Sequence, residues 1–348
     1  MNVDLKRPVR LSRAGAWRTY TGGRLIETLH GNENAKDSNF PEEWILSTVA
    51  ARNSGREHIV EGLSMVDGTA LSLAQLIEDD PQTCLGQAHA AKYGTTPGVL
   101  VKLLDSAERL TIQVHPTREQ AKVLFGSPFG KTECWHILDT REIGSETPCI
   151  YFGFKPAITR EHWKAVFDAQ DIPAMLDCLH RIEVKRGDTF LIEGGIPHAI
   201  GAGCFLVEIQ EPTDYTVRTE RVTPAGLQVA DFMCHQGLGF ERMFDCFDYT
   251  GYTEEQVLAR WRLQPHGNTL VSYDDTPMFR LETLTVDGEA TVRADGTFSG
   301  IYVLEGEGVI DGQAVKKGAQ FFIPAVCEPF AVSGEMKIIR FYGPKEDI

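Results

Sequence analysis

Gln113 and His115 stand two positions apart in Leu-Thr-Ile-Gln-Val-His, residues 110–115, and Pro116 closes the run. The strand period of two sends Ile112 and Val114 to one face and Gln113 and His115 to the other, where amide and imidazole lie side by side. Downstream come Glu133, in Gly-Lys-Thr-Glu-Cys-Trp, and His198, in Ile-Pro-His-Ala-Ile-Gly. An amide oxygen, a carboxylate and two imidazoles form a mixed oxygen and nitrogen donor set that suits zinc or a similar divalent ion. A lone Gln-x-His is more often a hydrogen-bonded core or rim pair, so the metal reading rests on all four residues meeting.

The same alternation governs two further pairs. Lys131 precedes Glu133 by two, which aims both into one cavity if the segment is extended; the plainer alternative is a solvated lysine. Arg218 follows Asp214 by four in Asp-Tyr-Thr-Val-Arg. An extended chain puts both on one face, where such a pair is most often a simple ion pair.

Strands must position these groups, and the chain is rich in short apolar runs bounded by glycine turns. Residues 189–193, 194–198 and 204–210 read as strands of an antiparallel barrel rather than of a parallel α/β sheet. Helical spacing is expected over 69–79, and Thr117-Arg-Glu-Gln predicts a capping box that starts a short helix directly after His115-Pro116. A small helical insertion is expected over 159–180, with a break at Pro173, and another short helix over 253–261. From Met278 strands return. Lys185-Arg-Gly-Asp-Thr-Phe-Leu-Ile and Lys316-Lys-Gly-Ala-Gln-Phe-Phe-Ile echo each other around a turn glycine, which suggests two barrels.

At 348 residues the chain is long enough for two lobes with their own cores. Its net charge of -15 disfavours nucleic acid or an anionic membrane as a partner, and a phosphorylated ligand would need a local basic pocket. Eight cysteines, without a Cys-x-x-Cys, sit largely in apolar runs and read as buried thiols of a reducing compartment. The N-terminus has no apolar signal core, and no apolar run approaches the ~18 residues of a membrane span. A cytoplasmic location is expected.

The segments Pro97-Gly-Val-Leu-Val-Lys-Leu-Leu-Asp, Leu110-Thr-Ile-Gln-Val-His-Pro, Gly130-Lys-Thr-Glu-Cys-Trp, Ile196-Pro-His-Ala-Ile-Gly-Ala-Gly and Val207-Glu-Ile-Gln-Glu-Pro-Thr-Asp-Tyr-Thr-Val-Arg follow in that order. Together they closely resemble the type I mannose-6-phosphate isomerases, the zinc-dependent cupin branch of the phosphomannose isomerases. The resemblance implies a mainly β fold of two cupin-type (jelly-roll) β-barrels with a small helical insertion. On that reading, residues 1–235 form a catalytic lobe that includes the insertion 159–180. Residues 236–275 connect it to a cupin-like lobe, 276–348, which has no histidine after His266 and so no metal.

The implied cofactor is one Zn2+ per chain on Gln113, His115, Glu133 and His198. The implied reaction interconverts mannose 6-phosphate and fructose 6-phosphate through a cis-enediolate, whose charge a metal or guanidinium stabilises. Arg218 matches a catalytic arginine of the family, Asp214 a proton-handling or Arg-orienting residue, and Lys131 an active-site lysine. Two departures stand out: His136, where many relatives carry tyrosine, and Thr219-Glu-Arg-Val after Arg218. Two alternatives stay open, an isomerase of another sugar or sugar phosphate and a non-catalytic sugar-binding cupin. Lys155, Arg160 and Arg13 are candidates for the phosphate.

Overall fold

In the computed structural model, which describes residues 3–51, 53, 55–56 and 58–345, the alternating segments pair into three antiparallel sheets. One seven-stranded sheet runs in the order Arg262–Leu263, Thr189–Ile192, Glu133–Thr140, Cys204–Gln210, Leu100–Asp105, Glu42–Ile45, Ala14–Ala16. A five-stranded sheet orders Val217–Arg218, Gln113–Val114, His198–Ile200, Cys149–Phe154 and Leu179–Glu183. These two make the N-terminal lobe. Their register sets the site: His198 and Arg218 are both cross-strand partners of Gln113, and Glu208 faces Lys102 on one side and Trp135 on the other.

The third sheet is built on three long strands, Arg280–Val292, Ser299–Ile310 and Phe330–Tyr342. Ser299–Ile310 slips register between Val303 and Glu305, and its two halves pair with different strands, Gln320–Ile323 and Gln313–Lys316. The bulge bends the strand, so the sheet curls over its own core of Ile301, Val303, Ile310, Phe321, Val332 and Ile338. Gly306 sits beside this bend at φ 80°, where a Cβ would lie 1.9 Å from the Glu335 carbonyl oxygen. Only glycine fits there. The echo between the lobes also has a backbone counterpart: Gly187 and Gly318 both turn at positive φ, 92° and 90°, directly before strands Thr189–Ile192 and Gln320–Ile323.

Strand pairing qualifies the division at residues 235 and 275. Val9–Leu11 pairs with Gln320–Ile323, and Thr269–Val271 with Arg280–Val292, so the C-terminal sheet takes strands from the first residues and from the connection. The connection also supplies Arg262–Leu263 to the N-terminal lobe. Residues 1–2 and 346–348, the outer ends of the two lobes as drawn from sequence, lie outside the described residues.

The helical insertion comprises Arg160–Ala169, capped by Thr159, and Ile172–Asp177, capped by Asp171. Pro173 is not the break expected from sequence. It occupies the first turn of the second helix, where its missing N–H costs nothing, and the chain turns instead at Gln170, φ 50°. Leu179 and His180 already belong to a strand. Trp163, Phe167 and Met175 bury against Ile112, Val114 and Val217, so the insertion backs the strands that carry Gln113 and Arg218. The capping boxes at Thr117 and Thr253 form as expected, whereas the helix expected from residue 69 begins only at Leu73, behind the cap Ser72. All eight cysteines are buried and unpaired, and no described helix is long and apolar enough to cross a membrane.

His136 points away from the cavity, toward the third sheet. Its Nδ1 lies 2.9 Å from Thr189 Oγ1, and burial, with Lys337 and Arg186 nearby and Asp188 opposing them, pushes the imidazole down to about 4. The fold therefore needs neutral His136. Because the folded value lies below the ordinary 6.5, its contribution is complete above pH 6.5 and is lost as pH falls toward 4. Loss of about 1.4 kcal/mol per pH unit, roughly 3 kcal/mol over the window, is expected in denaturant titrations, and His136→Gln should flatten that slope. An unchanged slope in the variant would assign the acid sensitivity elsewhere.

Candidate active site

Three ligand-type side chains converge between the two sheets of the N-terminal lobe. His115, Glu133 and His198 are buried, with one donor atom of each within 4.8 Å of the others; among the described residues this is the one such group. His115 Nδ1 lies 2.9 Å from the Tyr215 carbonyl oxygen and His198 Nδ1 lies 2.8 Å from that of Ile196. A carbonyl only accepts, so each Nδ1 carries the hydrogen and each Nε2 presents a lone pair. Those two Nε2 atoms face each other at 3.2 Å, with Glu133 Oε1 3.1 Å from that of His115. Gln113 closes the group with its amide nitrogen 3.4 Å from His198 Nε2, and a half-turn of the amide presents its oxygen there instead.

The electrostatics favour a cation there. Burial and the neighbouring His115 push His198 down to about 3, while burial and Lys131 lower His115. Burial alone would raise Glu133, yet Lys131 and His115 outweigh it and hold the carboxyl well below its ordinary range. Lys131 Nζ lies 2.8 Å from Glu133 Oε1 and 3.3 Å from His115 Nε2, although Oε1 accepts no hydrogen bond of good geometry. Lys131 offsets part of the negative charge, but the two Nε2 lone pairs still face each other at 3.2 Å, a repulsion that a positive ion between them would relieve. The donor set fits a divalent metal with imidazole and carboxylate preferences.

Beside the cluster lies a cavity of about 160 Å³. Gln113, Lys131, Asp214, Arg218 and Glu42 line it, joined by residues not singled out from sequence: Arg18, Tyr20, Lys102 and Glu208. Lys102 and Glu208 form an ion pair at 2.8 Å, and Trp135 Nε1 donates at 3.1 Å to both Glu133 and Glu208. A signal for this pair exists in the sequence. Each is a lone charge in an apolar strand, Val-Leu-Val-Lys-Leu-Leu and Phe-Leu-Val-Glu-Ile, and buried charges require partners.

The plain Asp214–Arg218 ion pair, the general alternative for this spacing, does not form: no Arg218 nitrogen comes within 4.0 Å of a carboxylate among the described residues. Only Val217–Arg218 is strand, so Asp214 lies in the preceding loop, outside the alternation that would pair them. Arg218 Nη1 instead donates to the carbonyls of Thr216 and Met233 at 3.0 and 3.1 Å, and burial lowers its pKa, with Asp214 opposing. The three phosphate candidates do not line the cavity. Arg13 pairs with Glu27 and Glu43, and Arg160 with Asp245.

Two lobes of antiparallel sheet, with a single buried His-Glu-His cluster among the described residues, fit a metal-binding cupin class of protein. The model of the phosphomannose isomerase type I catalytic domain matches residues 30–129, and that of the mannose-6-phosphate isomerase cupin domain matches residues 269–343. The chain is thus similar to type I phosphomannose isomerases in its first lobe and to mannose-6-phosphate isomerases in its last. It is 27% identical to mannose-6-phosphate isomerase ManA of Bacillus subtilis over 73% of this chain and 79% of that one. The crystal structure of the mannose 6-phosphate isomerase from Bacillus subtilis shares its fold, with a TM-score of 0.71 at 23% identity over 97% of this chain and 99% of that one. A zinc-bound mannose 6-phosphate isomerase gives a TM-score of 0.71 at 16% identity over 97% and 100%.

Proposed function

We propose that Gln113, His115, Glu133 and His198 hold one Zn2+, and that the adjoining cavity interconverts mannose 6-phosphate and fructose 6-phosphate through a cis-enediolate. The observation that carries the reading is the opposition of two imidazole lone pairs at 3.2 Å beside Glu133. When bound, the ion acts as a Lewis acid toward the sugar oxygens that gain negative charge.

The chain's own residues supply the rest. Arg218 offers a fixed guanidinium that no carboxylate neutralises at close range, and it meets the oxygen charge of the enediolate. Asp214 on the same wall favours and orients that guanidinium. Lys131, held between Glu133 and Thr216 Oγ1, donates to a sugar oxygen at the reacting end. The proton on C2 needs a carrier, and two cavity carboxylates differ in their fitness for it. Burial would raise Glu42, but Arg18 and Lys102 hold it down to about 2, so it stays an anion; burial and Glu133 raise Glu208. Of the two, Glu208, whose proton affinity is raised, is the carboxylate better suited to take and return the proton.

Retention of these groups beside the ligands supports an enzyme over a sugar-binding module. We place the reaction in the cytoplasm, where the eight buried thiols stay reduced. A coupled assay of the zinc-loaded protein on mannose 6-phosphate, free mannose and other hexose phosphates tests the reading. The highest kcat/KM is expected on mannose 6-phosphate, and inactivity on every sugar phosphate and free aldose would leave only a binding role.

A further inference from the structure

The proposed reaction places its substrate in a definite direction. C1 and C2 must meet the ligand cluster, so the phosphate on C6 points to the opposite end of the cavity. Lys131 touches Glu133, and Arg218 is the register partner of Gln113, which commits both to the reacting end. Lys102 is held by Glu208, and Arg109 by both oxygens of Glu220.

Arg18 is the remaining cation of the cavity wall. Between it and the cluster run the contacts Arg18–Glu42 at 3.0 Å, Glu42–Lys102 at 4.0 Å and Lys102–Glu208 at 2.8 Å, then the indole shared with Glu133. These contacts place Glu42, Lys102 and Glu208 between the guanidinium and the ligand side chains, while Asp214 still acts on the charge of Arg18 and Arg18 on that of Arg218. Its side chain is only 12% exposed and lies over the Trp44 ring, 5.0 Å from guanidinium carbon to centroid. Glu42 holds the Nε edge, and that carboxylate is itself fixed by Tyr20 Oη at 2.6 Å and Trp44 Nε1 at 2.7 Å. Nη1 makes a long contact of 3.4 Å to Asn53 Oδ1, and Nη2 has no hydrogen-bond partner among the described residues. A stacked guanidinium clamped on one edge, with its other edge turned to a cavity, is pre-organised for an oxyanion.

We propose that Arg18, oriented by Glu42 and Trp44, binds the phosphoryl group of the substrate and sets the preference for phosphorylated over free sugar. The assignment rests on the isomerase reading above, and it makes Arg18 a specificity residue with no part in the proton transfer.

The test uses the zinc-loaded enzyme and its Arg18→Gln and Arg18→Lys variants, with metal content and Tm measured first to establish folding. The ratio of kcat/KM for mannose 6-phosphate over free mannose should fall roughly 10- to 100-fold in Arg18→Gln, as loss of a hydrogen bond to a charged group gives, chiefly through KM for the phosphorylated sugar. Arg18→Lys should restore part of it, since it keeps the charge and loses the fork. Independently of turnover, inorganic phosphate should raise the Tm of the wild type and lose most of that effect in Arg18→Gln. An unchanged ratio, or an unchanged phosphate-induced Tm shift, overturns the assignment. A wild type that is stabilised by phosphate through Arg18 yet isomerises nothing would overturn the isomerase reading and leave the anion site standing.

Discussion

Arg218→Ala is expected to lower kcat by about 100- to 1000-fold while KM and metal content stay nearly unchanged, the pattern for a donor that meets charge only in the transition state. The corresponding loss is about 3 to 4 kcal/mol. The structure explains why this arginine carries so much. Its Nη1 is fixed by the carbonyls of Thr216 and Met233, so its aim is set before substrate arrives, and no carboxylate of the described residues lies within 4.0 Å to neutralise it. Asp214 acts from farther away. Arg218→Lys should recover only part of the rate, because an ammonium keeps the charge but cannot present the same planar fork. Should Arg218→Ala raise KM and leave kcat alone, the arginine is a binding group and the enediolate role passes to another residue.

Removing either imidazole of the cluster should be as severe by a different route. His115→Ala and His198→Ala are each expected to reduce bound zinc from about one ion per chain to a small fraction, with isomerase activity falling in proportion. Both imidazoles have Nδ1 tied to a backbone carbonyl, so each presents Nε2 to the cluster in one tautomer. The stability arm separates lost metal from a lost fold. At free zinc about 100-fold above Kd, the ion should stabilise the wild type by about 2.7 kcal/mol, and chelation should remove that increment. In the alanine variants chelation should leave Tm where it was. Unchanged metal content in both variants would remove these histidines from the ligand set.

The groups that meet at the site were legible because alternation and composition carry them. Gln113 with His115, and Lys131 with Glu133, read as same-face pairs two apart, and the structure brings His115, Lys131 and Glu133 within 3.3 Å of one another and Gln113 to the edge of the cluster. The second lobe was legible from the strands that return after Met278 and from the glycine turn that repeats at 187 and 318. Alternation failed at Asp214, where the chain is loop rather than strand, and helical periodicity overran at Pro173, where a first-turn proline was read as a breaker.

By itself, then, the sequence determined which donors exist, their local faces and the curled, glycine-punctuated strands of two barrels, because these depend on spacing within one segment. Tertiary structure decided what lies across a sheet or at the far end of a cavity. Lys102 and Glu208 are 106 positions apart in number only by coincidence of strand order, and their pairing exists because antiparallel register sets them opposite each other. Arg18 comes from a loop ahead of the first helix, and nothing near it in sequence shows that Glu42 and Trp44 would clamp one edge of its guanidinium and leave the other facing the cavity. Which cations are neutralised and which remain free is a property of distances between segments, and sequence spacing carries no information about those distances.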